Sequence, residues 1–198
     1  MHNLFSTPVD CVTIIPTAEQ FNKTDAFLTR IFDDSQENNW ALETGKSTGQ
    51  HGLDIHDCPE MFWLIDQALV HVREYWNALG YRKPLDIIPD SSWANVHKHL
   101  QLTGEHAHCG GFKKSHISTV YYFKKPDNSG HIEFVDPLEY IHRMTPVHEF
   151  SERVGTYNEF KTNQFDFVLF PSWLKHRTQV NNSTEDRVAI SINFIGLF

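Results

Sequence analysis

The sequence predicts an α+β fold, mainly β, in which a β-sandwich or jelly roll carries helices on one side. Three observations lead there. Helical periodicity is confined to the N-terminal part of the chain, whereas runs rich in Val, Ile, Phe and Tyr fill the remainder. No internal repeat or linker-like change of composition separates the two parts. At 198 residues, 40% hydrophobic and 13% aromatic, the chain is long enough for one domain with a sizeable core and short for two. The expectation is therefore a single domain over residues 1–198, with 1–86 supplying strands and supporting helices and 87–198 the jelly-roll core.

Taken in order, Leu4–Val9 and Val12–Ile15 are expected as short strands broken by Pro8. Thr17 followed by Gln20 has the form of a capping box and opens a helix that runs to about Phe32. Asp34–Asp57 is polar and glycine-bearing, and reads as loop. Pro59 suits the first position of a second helix, in which Phe62, Ile65, Leu69, Val72 and Trp76 recur at helical spacing until Gly80 ends it. From Ile87 onward the period changes. Trp93–Leu102, His116–Phe123, His131–Val135, Gln164–Phe170 and Arg187–Phe194 read as strands, with Asn128-Ser129-Gly130 as the turn of a hairpin.

A net charge of −8 argues against a protein that grips nucleic acid by neutralising phosphates. No apolar run approaches the roughly 20 residues needed to span a bilayer. Cys11, Cys58 and Cys109 are odd in number and form no CxxC pair, and the N-terminus carries no secretory pattern. Free thiols and a cytoplasmic location are the expectation.

Histidine stands out, with 13 in the chain. The stretch GEHAHCGG puts His106 and His108 one residue apart, so that on a strand both rings would face one side. FPSWLKH brings a third, His176, at the end of an apolar run. Neutral imidazoles are good ligands for Fe, Zn, Cu or Ni, although HxH alone is a weak signal and ordinary hydrogen-bonded histidines fit it too. Further on, Arg187, Ala189, Ser191 and Asn193 share one face of a strand, and Val188, Ile190 and Ile192 the other. An arginine there either meets an anion in the interior or pairs at the surface with Glu185 or Asp186.

Together these residues resemble the 2-oxoglutarate- and Fe(II)-dependent oxygenases of the prolyl-hydroxylase-like superfamily. The matching segments are LFSTPV, SSWANV, HAHCGG, ISTVYYF, SGHIEFVDP, FVLFPSWLKH and DRVAISINF, spread over nearly the whole chain. The resemblance implies a double-stranded β-helix and a dioxygenase that uses Fe(II), 2-oxoglutarate and O2 to hydroxylate a substrate. It implies His106, His108 and His176 as metal ligands and Arg187 as the partner of the distal carboxylate of 2-oxoglutarate. Tyr122, sixteen residues after His106, matches a cosubstrate-binding tyrosine of prolyl hydroxylases or is a core residue beside Tyr121. Asn95 and Ser191 are further cosubstrate candidates, and His97, His99 and Asn193 substrate candidates; a hydrogen-bonded core network would account for Asn95 and His97 equally well.

One position departs from the superfamily. The usual facial triad is two histidines and a carboxylate, yet the carboxylate position holds His108. Glu105 should point to the opposite face from its neighbour His106, and Asp136 reads better as a turn aspartate before Pro137. Halide-transfer chemistry is disfavoured, since it needs a vacant ligand position. The second reading is a cupin-like protein holding Zn, Ni or Fe for hydrolysis, isomerisation or binding without 2-oxoglutarate. The expected partner is a small molecule or peptide; Asn193-Phe194 stands where nucleic-acid demethylases carry a second arginine. Loops at Asp34–Asp57 and His142–Glu159 are expected at the pocket mouth.

Overall fold

A computed structural model describes residues 6–40, 43–110, 113–142, 144 and 155–198. Its elements are β1 (Asp10–Thr13), α1 (Ala18–Asp34), β2 (Asn38–Trp40), β3 (Glu43–Ser47), α2 (Phe62–Ala78), β4 (Asp86–His97), β5 (Cys109–Gly110) and β6 (Lys113–Lys114). There follow β7 (Ile117–Lys124), β8 (Ile132–Val135), α3 (Glu139–His142), β9 (Tyr157–Phe160), β10 (Asp166–Pro171), β11 (His176–Thr178) and β12 (Arg187–Leu197). The strands form a large antiparallel sheet in the order β1-β10-β7-β12-β4-β3-β2, a smaller one in the order β11-β8-β9, and the short pair β5-β6. The fold is the expected jelly roll with helices on one side. Among the described residues no helix is long and apolar enough to cross a membrane.

Alternation along the central strands decides which core each side chain joins. Val188, Ile190 and Ile192 of β12 lie in an apolar cluster with Leu28 of α1 and Leu64, Val72 and Trp76 of α2. Ala189 belongs instead to a second, smaller cluster, with Val120, Tyr122, Phe134 and Phe170, between the two sheets. The helices thus cover the outer face of the large sheet and leave its inner face to the site.

Both helices start as their sequences require. In α1 the Gln20 amide donates to Thr17 Oγ1 at 3.2 Å while the Thr17 amide donates to Gln20 Oε1 at 2.8 Å, completing the capping box. At α2, Pro59–Met61 forms one 3-10 turn and the α-helix proper begins at Phe62. Phe62 is therefore half exposed, and the buried face runs through Leu64, Ile65, Ala68, Val72, Tyr75 and Trp76.

Four local expectations are corrected. Asp34–Asp57 is not plain loop: it contains β2, β3 and two 3-10 turns. β3 has no apolar alternation of its own and is formed by pairing Lys46 and Ser47 with Val96 and Asn95 of β4. Asn128-Ser129-Gly130 is a turn, but not of a hairpin, because β7 pairs with β10 and β12 whereas β8 pairs with β11 and β9. The chain crosses there from one sheet to the other. The strand expected over Trp93–Leu102 starts earlier, at Asp86, and stops at His97, where a turn with Leu100 at φ 65° reverses it. Of the strand expected over Leu4–Val9, residues 4 and 5 lie outside the described set, and 6–9 join no strand. Pairing begins at Asp10, which opposes Leu169 of β10.

Candidate metal centre

Backbone pairing brings the three histidines together. His106 and His176 form an antiparallel bridge, each amide donating to the other's carbonyl at 3.0 and 2.9 Å. The His108 amide donates to the Ser172 carbonyl at 2.9 Å. The HxH stretch is thus not a regular strand but an extended segment fastened to the turn before β11. Ring centroids lie 5.0 Å apart for His106–His108, 4.4 Å for His106–His176 and 4.9 Å for His108–His176. One nitrogen from each ring lies within 4.8 Å of the others, which makes this the group among the described residues that could hold a metal ion.

Hydrogen bonds select which nitrogens. His106 Nδ1 lies 2.8 Å from the Gly104 carbonyl and His176 Nδ1 2.9 Å from the Leu174 carbonyl, so both rings are held as Nδ1–H donors. His108 Nδ1 lies 2.7 Å from Asn193 Oδ1 and 2.9 Å from Ser118 Oγ. In each ring Nε2 is then the nitrogen that could serve as a ligand atom. Burial, together with the neighbouring His106 and His108, holds the His176 imidazole well below its ordinary pKa, in the neutral form that coordination needs.

Neither nearby carboxylate competes. Glu105 is exposed and bonded to the Tyr157 hydroxyl at 3.1 Å and to Lys175 Nζ at 3.3 Å. Asp136 accepts the Leu138 amide at 2.8 Å as a turn residue ahead of α3.

Around the imidazoles lies a cavity of about 630 Å³ floored by the inner faces of β4, β7 and β12. At its far end Arg187 is 1% exposed. Its Nη1 donates to the carbonyl oxygens of Ser129 and Gln179 and its Nη2 to Thr178 Oγ1 at 2.9 Å, while Nε has no partner. Among the described residues no carboxylate pairs with it, neither Glu185 nor Asp186 included, and burial lowers its pKa. A buried, uncompensated guanidinium costs several kcal/mol and marks a place for an anion. Beside it, burial raises the pKa of the Tyr122 phenol, whose hydroxyl has no well-formed hydrogen bond, with Thr162 among its neighbours. Asn95 Oδ1 and His97 Nδ1 are also buried without partners.

Of the residues singled out from sequence, Asn95, His97, Tyr122, Arg187, Ser191 and Asn193 all line the cavity with the three histidines. His99 does not. It lies beyond the end of β4, exposed, with Nδ1 3.1 Å from the Ser183 carbonyl, because the turn after His97 ends the alternation that would have carried it inward. The Asp34–Asp57 segment reaches the cavity through Ser47 and Gly49; of the other expected mouth loop, residues 143 and 145–154 lie outside the described set. Sequence reasoning places Trp93 on the face of Asn95 and His97 but gives no role to its ring, whose centroid is 5.2 Å from that of His108, and it missed Thr178 and Ser118. Both follow from alternation: Thr178 is two residues after His176, and Ser118 two before Val120 and four before Tyr122.

A family model described as "Putative 2OG-Fe(II) oxygenase" matches residues 91–193, the span that contains the three histidines, Tyr122, Arg187 and Asn193. Solved structures share the fold. A prolyl-4-hydroxylase from Pseudomonas putida is 10% identical with a TM-score of 0.65, covering 98% of this chain and 95% of its own. The non-heme alpha-ketoglutarate-dependent epimerase SnoN of nogalamycin biosynthesis is 12% identical with a TM-score of 0.66, over 96% and 78%. HygX from Streptomyces hygroscopicus, with nickel, 2-oxoglutarate and hygromycin B bound, is 14% identical with a TM-score of 0.61, over 96% and 83%. No curated protein matches the chain by sequence.

Proposed function

The chain belongs to the 2OG-Fe(II) oxygenase family, an oxidoreductase family using Fe(II), 2-oxoglutarate and O2, and from that premise we propose a hydroxylase in which His106, His108 and His176 hold the iron. Three neutral nitrogen donors would suit a first-row divalent ion and would leave it able to bind the keto acid as well. With 2-oxoglutarate and O2, such a centre supplies oxidative decarboxylation of the keto acid to succinate and CO2, coupled to hydroxylation of a C–H bond. The remaining work falls to the chain itself. Arg187 grips the distal carboxylate through a guanidinium already held by Ser129, Gln179 and Thr178. Tyr122 donates its phenol to the same carboxylate, Asn95 and Ser191 flank the cosubstrate, and Val120 and Ile132 exclude water along its methylenes. The substrate, a small molecule or peptide, enters past Trp93 and Gly49, with His97 and Asn193 on the same wall.

The observation that carries this reading is a buried guanidinium, paired with no described carboxylate, that lines one cavity with three imidazoles. A metal site that did not use a dianionic cosubstrate would have no need of Arg187 in that state. Anaerobic addition of 2-oxoglutarate to the Fe(II)-loaded chain should produce a weak visible charge-transfer band. A folded, iron-loaded sample without that band would end the reading.

A further inference from the structure

A histidine in the place of the triad's carboxylate creates a demand that an aspartate would not. It brings a second ring nitrogen, Nδ1, which must be protonated and satisfied if Nε2 is to face a metal. His106 and His176 meet this demand with backbone carbonyls; at His108 it falls to side chains. The Asn193 side chain is 3% exposed, and its Nδ2 donates to Ser91 Oγ at 3.0 Å, which turns its Oδ1 toward His108 Nδ1 at 2.7 Å. Ser118, fully buried, reaches Asn193 Oδ1 at 2.7 Å and Ser172 Oγ at 2.8 Å while also facing His108 Nδ1 at 2.9 Å. The backbone is shaped for this. Asn193 opposes Ser91 but Phe194 opposes Pro89, so Asp90 is the extra residue of a β-bulge. Such a bulge re-aims neighbouring side chains.

We propose that Asn193 is the positioning residue of the metal centre: held by Ser91 and assisted by Ser118, it fixes His108 as the Nδ1–H tautomer and so makes the third imidazole a ligand. The proposal rests on the three-histidine reading above and adds a role distinct from substrate contact. The amide carbonyl accepts the Nδ1 proton, which orients the ring about its Cβ–Cγ bond and raises the basicity of Nε2. An aspartate at 193 keeps that acceptor; an alanine removes it and leaves the weaker contact to Ser118.

The test uses the full chain labelled with 15N-histidine. Long-range 1H–15N spectra of the metal-free protein report the tautomer of each ring, and Co(II) titration calorimetry reports affinity. In the wild type all three rings should appear as Nδ1–H tautomers. Asn193→Ala should turn the His108 signals into a tautomer mixture, leave His106 and His176 unchanged, and weaken Co(II) about 10- to 100-fold. Asn193→Asp should restore both the tautomer and the affinity. Should Asn193→Ala fail to fold, Ser91→Ala carries the same expectation at smaller amplitude. An unchanged His108 tautomer in the alanine variant, or equal weakening in alanine and aspartate variants, overturns the proposal. Absence of Co(II) binding by the folded wild type would instead overturn the three-histidine centre, and the proposal with it.

Discussion

His97 is a buried imidazole with, among the described residues, no carboxylate paired with it. It is 3% exposed, with Nε2 2.9 Å from Thr103 Oγ1 and Arg187 directly opposite on β12. Burial first, and the Arg187 charge second, pull its pKa down to about 3. The unfolded chain, with an ordinary histidine pKa near 6.5, therefore takes up the proton more readily than the folded one. Stability is complete above about pH 6.5 and declines as the pH falls from there toward 3, at about 1.4 kcal/mol per pH unit for this one group. His176 shifts in the same direction and adds to the slope in the metal-free chain. Denaturant unfolding of metal-free protein at pH 7, 6 and 5 should show this decline, and His97→Gln should flatten it by close to one proton's worth. An unchanged slope in the variant would mean that the His97 ring is not buried as a neutral base. That Asn95 and His97 share one face of β4, and Arg187 and Asn193 one face of β12, was legible from period-two alternation alone. That His99 leaves the row was not, because a left-handed Leu100 has no sequence signature.

At the scale of elements, the connection from β7 to β8 touches both sheets and the buried Arg187 at once. Gly130 has φ +77°, and a Cβ there would lie 2.8 Å from Gln179 Cβ and 2.8 Å from the Val180 carbonyl. Its neighbour Ser129 supplies a carbonyl to Arg187 Nη1, and Gln179 supplies the other. Gly130→Ala must therefore push apart the two segments that hold the guanidinium. The expected cost is about 2–4 kcal/mol, from left-handed strain and overpacking together. Gly80, at φ +68° with open space around it, isolates the strain alone, and its alanine variant should cost only about 1–2 kcal/mol. Chemical denaturation gives both numbers, and 2-oxoglutarate binding should weaken only in the Gly130 variant. Equal effects on binding would show that the connection does not shape the surroundings of Arg187. The Asn-Ser-Gly signal announced a turn correctly, but a turn's composition does not say whether its flanking strands pair with each other. The same limit hid β3, β9 and β11, whose strand character is imposed by β4 and β8. The capping box of α1 and the alternation of β12 carry their own local instructions and were readable in advance.

At the scale of the molecule, the candidate centre is where the two sheets are joined. His176 belongs to β11 of the smaller sheet, whereas Arg187 and Asn193 belong to β12 of the larger one, and His108 is bonded to Asn193. The larger apolar cluster lies on the far side of the large sheet, against α1 and α2, so that among the described residues the smaller cluster and the polar site lie between the sheets. An ion and a dianion bound there add bonds across that seam in the folded state alone. By linkage, each ligand at a hundred times its Kd stabilises the fold by about 2.7 kcal/mol. For a chain of 198 residues that corresponds to roughly 5–10 °C in Tm. Co(II) should therefore raise Tm by itself, and 2-oxoglutarate should raise it further only when Co(II) is present, since the keto acid needs the metal for its other end. In Arg187→Ala the Co(II) increment should persist while the 2-oxoglutarate increment disappears. Losing both would mean that Arg187 supports the seam rather than the cosubstrate. Keeping both would place 2-oxoglutarate elsewhere, and the buried guanidinium would then be waiting for a different anion.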